Sequence, residues 1–255
     1  MADVRGRADR LRRLHTDPAL LVLVNVWDVA SARTVAATPG CRAVATASDP
    51  IAAAHGYPDG ERIPVELVLA AVGRIVAAVD LPVTADLEAG YGDVDSTVRR
   101  AVASGVVGAN LEDALDPLPA AADRVARAVR AAAAEGVPLV LNARTDCYLL
   151  QPGRPAPNLL AEALRRGRAY LDAGADCVFV PGCVDREAIG ALVAGLGRGR
   201  VSLLALPGLP APAELADLGV ARLSHGPGPH RHTLAALAEL AAGLLGAPPP
   251  GAPER

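Results

Sequence analysis

Short apolar runs alternate along this chain with longer amphipathic stretches, and most of those stretches stop at a Gly or a Pro. Continuously apolar runs read as strands buried on both faces, and stretches with apolar residues three and four apart read as helices. A charged helix is expected from Asp3 to His15, with Leu11 and Leu14 as its apolar contacts; the run LVLVNVWD over residues 21–28 follows and turns polar at Asn25 and Asp28. A helix from Val29 to Ala37, stopped by Pro39-Gly40, leads to CRAVATASD. A long polar loop from Ala52 to Pro64 and a helix from Val65 to Val79 lead to LPVTADLE. Further helices are expected over Ser96–Ser104, Ala120–Glu135 and Leu159–Ala173, closed by Gly105, Gly136 and Gly174 and followed by VVGANLED, VPLVLNARTD and DCVFVPG. Asp185 can cap a helix that runs through Leu196, VSLLALPG follows, and a short helix Pro212–Leu218 precedes VARLSHGPG and a last helix His232–Leu245.

Eight strand candidates, most followed by a helix, give the arithmetic of an α/β (β/α)8 TIM barrel in one domain over residues 1–246, with a disordered Pro-rich tail over 247–255. A doubly wound open sheet is the rival. No GxGxxG follows any strand, and the one glycine cluster of that kind, Gly195 to Gly199, follows a helix.

In a barrel, strand residues two apart point the same way, and catalysis sits where the strands end. Five successive strands end in polar residues: Asn25, Thr46 with Ser48, Asp86 with Glu88, Asn110 with Glu112, and Asn142 with Arg144. Any one pair reads equally well as loop polarity or a helix cap; five in register do not. Asp86, Glu88 and Glu112 in one mouth would repel one another unless a cation neutralised them. Carboxylate oxygens without convergent His or Cys suit magnesium, or manganese. Arg144 can bind a carboxylate or phosphonate through both arms of its guanidinium, or pair structurally with Glu112. The loop Ala52–Pro64 has the length and turn chemistry of a lid, with Asp59 in its Pro-Asp-Gly turn.

Composition narrows the chemistry further. The chain has 255 residues, is 51% hydrophobic and carries a net charge of -3, enough apolar content for a sizeable core and too little positive charge for a nucleic-acid partner. No apolar run approaches the roughly 18 residues that span a bilayer, and the Arg-rich start lacks an apolar signal core, so a cytoplasmic location without a membrane partner is expected. Cys41, Cys147, Cys177 and Cys183 lack CxxC spacing and read as reduced, core-packing thiols. All 25 basic residues are Arg. The absence of Lys excludes a Schiff-base aldolase, a pyridoxal phosphate enzyme and a Walker-type loop.

The motifs ATAS with GYPDG, ADLEAGYGD, GANLEDA, LNARTD and AGADCVFVPG occur in that order, and through them the chain resembles the isocitrate lyase and phosphoenolpyruvate mutase superfamily from about Leu20 to Gly226. The resemblance implies a barrel, often with its last helix exchanged between subunits of a tetramer, so a homo-oligomer is expected. It also implies magnesium, and small anionic 2-oxo or 2-hydroxy acid substrates. Carried over by motif, Asp86 would be the direct magnesium ligand, and Glu88, Glu112 and either Asp59 or Asn110 would hold its waters. Thr46, Ala47, Ser48 and Asn110 would bind substrate, with Arg144 on its carboxylate. Asp59 matches the position that phosphoryl-transfer members use as nucleophile or positioning group.

One loop departs from the pattern. Isocitrate and methylisocitrate lyases carry a Lys-Lys-Cys-Gly-His loop after the Glu motif, whereas this chain reads DALDPLPAAADR from Asp113 to Arg124, with no Cys, His or Lys. Those two activities are therefore not expected, and the Lys, Asn and Ser or Thr of the mutases are missing too. The expected function is a magnesium-dependent lyase or hydrolase that cleaves a carbon-carbon bond of an oxaloacetate- or malate-like diacid through an enolate. The alternatives are carbon-phosphorus chemistry on phosphonopyruvate or phosphoenolpyruvate, and a catalytically weak metabolite-binding relative. His225, Tyr91 and Tyr148 are secondary candidates for proton transfer, while His230, His232 and Trp27 read as surface or packing residues.

Overall fold

The computed structural model describes residues 2–246, so the expected tail over 247–255 falls outside the described residues. The elements in chain order are α1 (Ala2–Thr16), β1 (Leu21–Leu23), β2 (Asn25–Val26), α2 (Val29–Ala36), β3 (Val44–Thr46), α3 (Ser48–Ala54), α4 (Val65–Ala77), β4 (Val83–Asp86), α5 (Val94–Ala103) and β5 (Gly108–Glu112). They continue as α6 (Leu118–Ala134), β6 (Val140–Arg144), α7 (Cys147–Leu150), α8 (Ala156–Asp172), β7 (Cys177–Phe179), α9 (Arg186–Leu196), β8 (Val201–Leu204), α10 (Pro212–Leu218), β9 (Arg222–Ser224) and α11 (Gly228–Leu245).

The caps explain why the helices start where they do. Asp28 accepts from the backbone N–H of Ser31 while the Ser31 hydroxyl accepts from the Asp28 N–H, a reciprocal capping box at the start of α2. Asp93 and Asp185 cap α5 and α9 through the N–H of Ser96 and Ala188. Pro119, Pro157 and Pro212 sit in the first turns of α6, α8 and α10, where a missing N–H costs nothing.

All strand pairs are parallel, in the order β1-β9-β8-β7-β6-β5-β4-β3-β2. Because β1 and β2 are two halves of one extended segment interrupted at Val24, this order is a ring, and the nine pieces make the eight-stranded barrel that the apolar pattern predicts. Asn25 fastens the ring at its mouth: its Nδ2 donates to the Thr46 carbonyl at 2.8 Å, and its Oδ1 accepts from the N–H of His225 at 3.0 Å and of Gly226 at 2.8 Å.

Two large apolar clusters fill the layer between strands and helices, and a third seals the end of the barrel opposite the mouth. There Ala8, Leu11 and Leu14 of α1 pack on Leu21, Leu23, Ala43, Ala45, Val107 and Val140. A Cβ on Gly108 would stand 2.6 Å from Leu11 Cδ2, so the bare backbone at that position is what lets α1 plug the barrel. His15, at the end of α1, is 4% exposed and receives or gives a 2.9 Å hydrogen bond at the Leu11 carbonyl. Burial, reinforced by the charge of Arg222, lowers its pKa to about 4. The folded state therefore holds this ring neutral where the unfolded chain would protonate it. The associated stability is intact above about pH 6.5 and falls, by on the order of 3 kcal/mol, as pH drops towards 4. Urea titrations between pH 7 and pH 4 should show that loss, and it should shrink in His15→Leu; an unchanged pH slope in the variant would remove the assignment.

The last helix is exceptional. α11 has no buried residue, and Leu234, Leu237, Leu240, Leu244 and Leu245 are at least half exposed. It meets its own barrel near β2, with His230 edge-on to Trp27 at 4.8 Å, and Arg231 reaches Asp49 at 2.9 Å. Among the described residues no helix is long and apolar enough to cross a membrane.

Two elements depart from the expected pattern. The stretch expected to be all loop after the second strand begins with α3, because Ser48, Asp49 and Pro50 start a helix and the alanines continue it; the irregular segment spans 55–64. The short helix α7 follows β6 directly, where no helix was expected.

Candidate active site

The C-terminal strand ends open on a cavity of about 320 Å³. Asp86, Asn110, Arg144, Asp59, Ala47 and Ser48 line its polar side; Leu149, Phe179, Leu204 and Pro227 line the other, with Arg231 and Asp49 at the rim. Of the residues singled out in the sequence, the fold thus brings Ala47, Ser48, Asp59, Asp86, Asn110 and Arg144 together. It does not bring Thr46, Glu88 or Glu112 to the cavity lining.

Thr46 lies beneath the site. Its Oγ1 accepts from the Asp86 N–H at 3.0 Å, so its hydroxyl positions the backbone of Asp86. The Asp86 carboxylate receives only two long hydrogen bonds, from the N–H of Ser48 and of Glu88, each at 3.4 Å. Burial pushes its pKa up, with Arg144 opposing and Asp59 adding. A desolvated carboxylate with weakly used lone pairs facing a cavity fits a divalent cation, which favours the charged form that burial disfavours. Among the described residues no three His, Cys, Asp or Glu side chains gather closely enough to hold an ion by themselves. The donor set thus fits an ion with one direct carboxylate and a largely water-filled shell, the habit of magnesium.

Asp86 lines the cavity and Glu88 does not: the alternation expected of the pair applies within a strand, but β4 ends at Asp86 and Glu88 adopts a left-handed backbone with φ of 46°. Its Oε1 accepts from Tyr91 Oη at 2.5 Å and its Oε2 from the Glu61 N–H at 2.6 Å. Burial raises its pKa to about 7; the Tyr91 hydrogen bond opposes this, and Asp59 and Asp86 add to it. Glu61, itself at φ of 58°, returns the contact: its Oε1 accepts from the N–H of Ala89 at 3.0 Å and of Tyr91 at 2.6 Å. Two glutamates thereby clasp the 55–64 segment to the end of β4 and hold Asp59 at the cavity. Tyr91 is committed to this clasp. Burial, with Glu88 as acceptor, raises its pKa, so it keeps its proton.

Arg144 is held from two sides. Glu112 meets its Nη1 at 2.7 Å and Asp146 accepts from its Nε at 2.6 Å. Burial raises Glu112 to about 8 with Arg144 opposing, and raises Asp146 in the same way. The alternative expected for Arg144, a pair with Glu112, is therefore present, yet the guanidinium also lines the cavity. Asp113 supports the next layer: it accepts from Arg166 Nη1 at 3.0 Å, Tyr170 Oη at 2.6 Å, and the N–H of Leu115 and Asp146 at 3.0 and 3.1 Å. Ala114 and Leu115 sit in the left-handed region immediately afterwards, at φ of 46° and 61°. The unusual loop thus starts as a strained turn tied down by Asp113 and Asp146. Sequence reasoning passed over Asp146, Asp113, Arg166 and Tyr170. Asp146 had a signal, since it stands two residues past Arg144; the others are joined only by the fold.

His225 does not line the cavity; its Nδ1 lies 3.1 Å from the Leu23 carbonyl. Tyr148 packs at the edge of an apolar cluster. All four cysteines are free, three of them buried, with pKa values raised by burial.

Comparison with known proteins places these features in a family. The family model for phosphoenolpyruvate phosphomutase matches residues 11–245. A Mycobacterium tuberculosis protein of uncharacterised function is 36% identical over 236 residues, covering 89% of this chain and 86% of its own. A crystal structure from Burkholderia cenocepacia J2315, of a protein named as a candidate phosphonomutase, superposes with a TM-score of 0.87 at 42% identity, covering 92% of this chain and 99% of that one. Oxaloacetate acetylhydrolase in complex with its product oxalate superposes with a TM-score of 0.82 at 25% identity, over 94% of this chain and 86% of that one. The chain belongs to the phosphoenolpyruvate phosphomutase family, and with it to the isocitrate lyase and phosphoenolpyruvate mutase superfamily of lyases and mutases.

Proposed function

We propose that this chain is a divalent-metal-dependent lyase or hydrolase that cleaves a carbon-carbon bond of a small 2-oxo or 2-hydroxy dicarboxylate of the oxaloacetate or malate kind. The carrying observation is the pairing, in one cavity of about 320 Å³, of a half-buried guanidinium at the end of β6 with a desolvated carboxylate at the end of β4, with β5 between them. Arg144 grips one carboxylate of the substrate, its fork aligned by Glu112 and Asp146. Ala47, the hydroxyl of Ser48 and the amide of Asn110 surround the rest of that end. Asp86, with Glu88 and Glu112 further out, accounts for one magnesium or manganese ion, which when bound supplies Lewis-acid polarisation of the oxygen on which enolate charge develops. No Cys, His, Lys or Tyr lines the cavity, so the proton that quenches the enolate carbon comes through Asp59 or water. The clasp of Glu61 and Glu88 keeps the 55–64 segment closed over this chemistry, limiting premature access of water.

A second reading, carbon-phosphorus chemistry on phosphonopyruvate, is favoured by one observation: Asp59, the position that phosphoryl-transfer relatives use, lies in the cavity wall. The unburied leucine stripe of α11 supports assembly into a dimer or tetramer in which that stripe is covered by another copy.

A panel of 2-oxo and 2-hydroxy diacids and phosphonopyruvate, with magnesium and with chelator, separates the readings by carbon and phosphorus NMR. Chelator-sensitive cleavage of a diacid is expected. Release or migration of phosphorus would favour the second reading, and oxalate binding without any turnover would make the protein a binding relative.

A further inference from the structure

Inside the barrel, below the cavity, lies a cation that the proposed chemistry leaves unused. Arg222 on β9 is 1% exposed, and among the described residues no carboxylate stands in ion-pair contact with it, Asp86 acting on it only through its field. An isolated buried charge is costly, and an apolar side chain of similar volume usually serves a core as well or better. Burial draws its pKa down to about 10, which still leaves it charged at neutral pH.

Its hydrogen bonding suggests what that cost supports. Arg222 Nη2 donates to Asn110 Oδ1 at 3.1 Å, and Asn142 Nδ2 donates to the same oxygen at 2.8 Å. Ser202 Oγ lies 3.4 Å from the same Asn142 nitrogen. Asn110 is a cavity residue. With both lone pairs of its oxygen taken from inside the barrel, its amide can be turned only one way: the Nδ2 end is the one left for the cavity. Without two interior donors, nothing would distinguish an asparagine that offers N–H groups to an anion from one that opposes it with a carbonyl.

We propose that Arg222 is a positioning residue for anion binding: it pins Asn110 from within the barrel so that the amide N–H groups face the ligand, and its positive charge lies beneath the ligand's carboxylate. The inference rests on the reading that this cavity takes a small carboxylate. Arg222 acts through Asn110 and through its field, without touching the ligand. Of the other groups that act on it, Cys177 and His15 are neutral at working pH, and Asp86 acts only through its field, at the metal side of the same cavity, without a contact.

The test uses the full chain, with oxalate as the probe in magnesium buffer and isothermal titration as the readout, beside urea unfolding. Arg222→Met is expected to keep or gain stability while its affinity for oxalate falls about tenfold or more. Arg222→Lys, which restores the charge and one donor, is expected to recover most of that loss. A purely structural arginine would give the opposite pattern, with stability lost and affinity kept in whatever folds. If Arg222→Met fails to fold, Arg222→Leu, which likewise removes both the donor and the charge, takes its place, and wild-type affinity in either folded variant overturns the proposal. If the wild-type protein binds no oxalate, the functional reading fails, and a neutron crystal structure of the folded variant, which shows the amide hydrogens, decides this inference separately. Asn110 turned so that its oxygen meets the cavity supports it; an unmoved amide overturns it.

Discussion

Replacing Asp86 with alanine is expected to abolish divalent-cation binding and to lower turnover by roughly 10³-fold or more, corresponding to about 4 kcal/mol of lost transition-state stabilisation. The argument rests on how little the protein does for this carboxylate on its own. Its two hydrogen bonds are long, and burial disfavours its charge. Arg144 opposes that shift, but its close contacts go to Glu112 and Asp146. A buried carboxylate left this way is poised for a cation, and nothing else at the cavity floor substitutes for it: Glu88 is committed to Tyr91 and Glu61, and Glu112 to Arg144. The fold should survive, since the variant removes a desolvated acid that no strong partner satisfies. Manganese binding followed by electron paramagnetic resonance, with a chelator control, checks the outcome. Manganese affinity unchanged from wild type would overturn the metal assignment whatever happened to activity.

Arg144→Ala is expected to have the second largest effect, and it should act on stability and catalysis together. Removing the guanidinium leaves a buried Asp146 and a half-buried Glu112 beside one another without a counter-charge, a loss of about 3 kcal/mol, the lower end of what breaking a buried pair from one side costs. The same change deletes the bidentate grip on the substrate, so kcat/KM should fall roughly 10²- to 10⁴-fold. Arg144→Lys separates the two losses. The ammonium retains a counter-charge for the two carboxylates and most of the stability, while it lacks the planar fork, so catalysis should stay low. Urea unfolding beside steady-state kinetics on both variants reads the split; a lysine variant with wild-type kcat/KM would show that the fork is not what the substrate needs.

Much of this architecture is legible from the apolar pattern because each signal is local. Asp28, Asp93 and Asp185 cap helices that begin one residue later, and α9 and α10 fall where Asp185 and Pro212 put them. Where the reading went astray, a local rule met a chain that had already changed direction. Alternation predicts that Asp86 and Glu88 share a side, and it holds only while the backbone remains a strand; at Glu88 the left-handed turn sends the side chain to the 55–64 segment instead. Polar character at Thr46 similarly marked the right strand end without revealing that the hydroxyl accepts from the Asp86 backbone beneath the cavity. The residues that sequence reasoning missed altogether depend on long-range pairing. Asp113 with Tyr170, or Arg222 with Asn110, are separated by 57 and 112 positions, and no short window contains both partners.

Two of the three hydrogen bonds of Asn25, those from His225 and Gly226, join residues that the ribosome would make two hundred positions apart. Until His225 and Gly226 emerge, the first strand has a neighbour on one side only, and the growing ring presents an open sheet edge able to pair with any other nascent strand. Synthesis of this barrel therefore ends on its most hazardous interval, and the last strand to leave the tunnel is the one that makes the product safe.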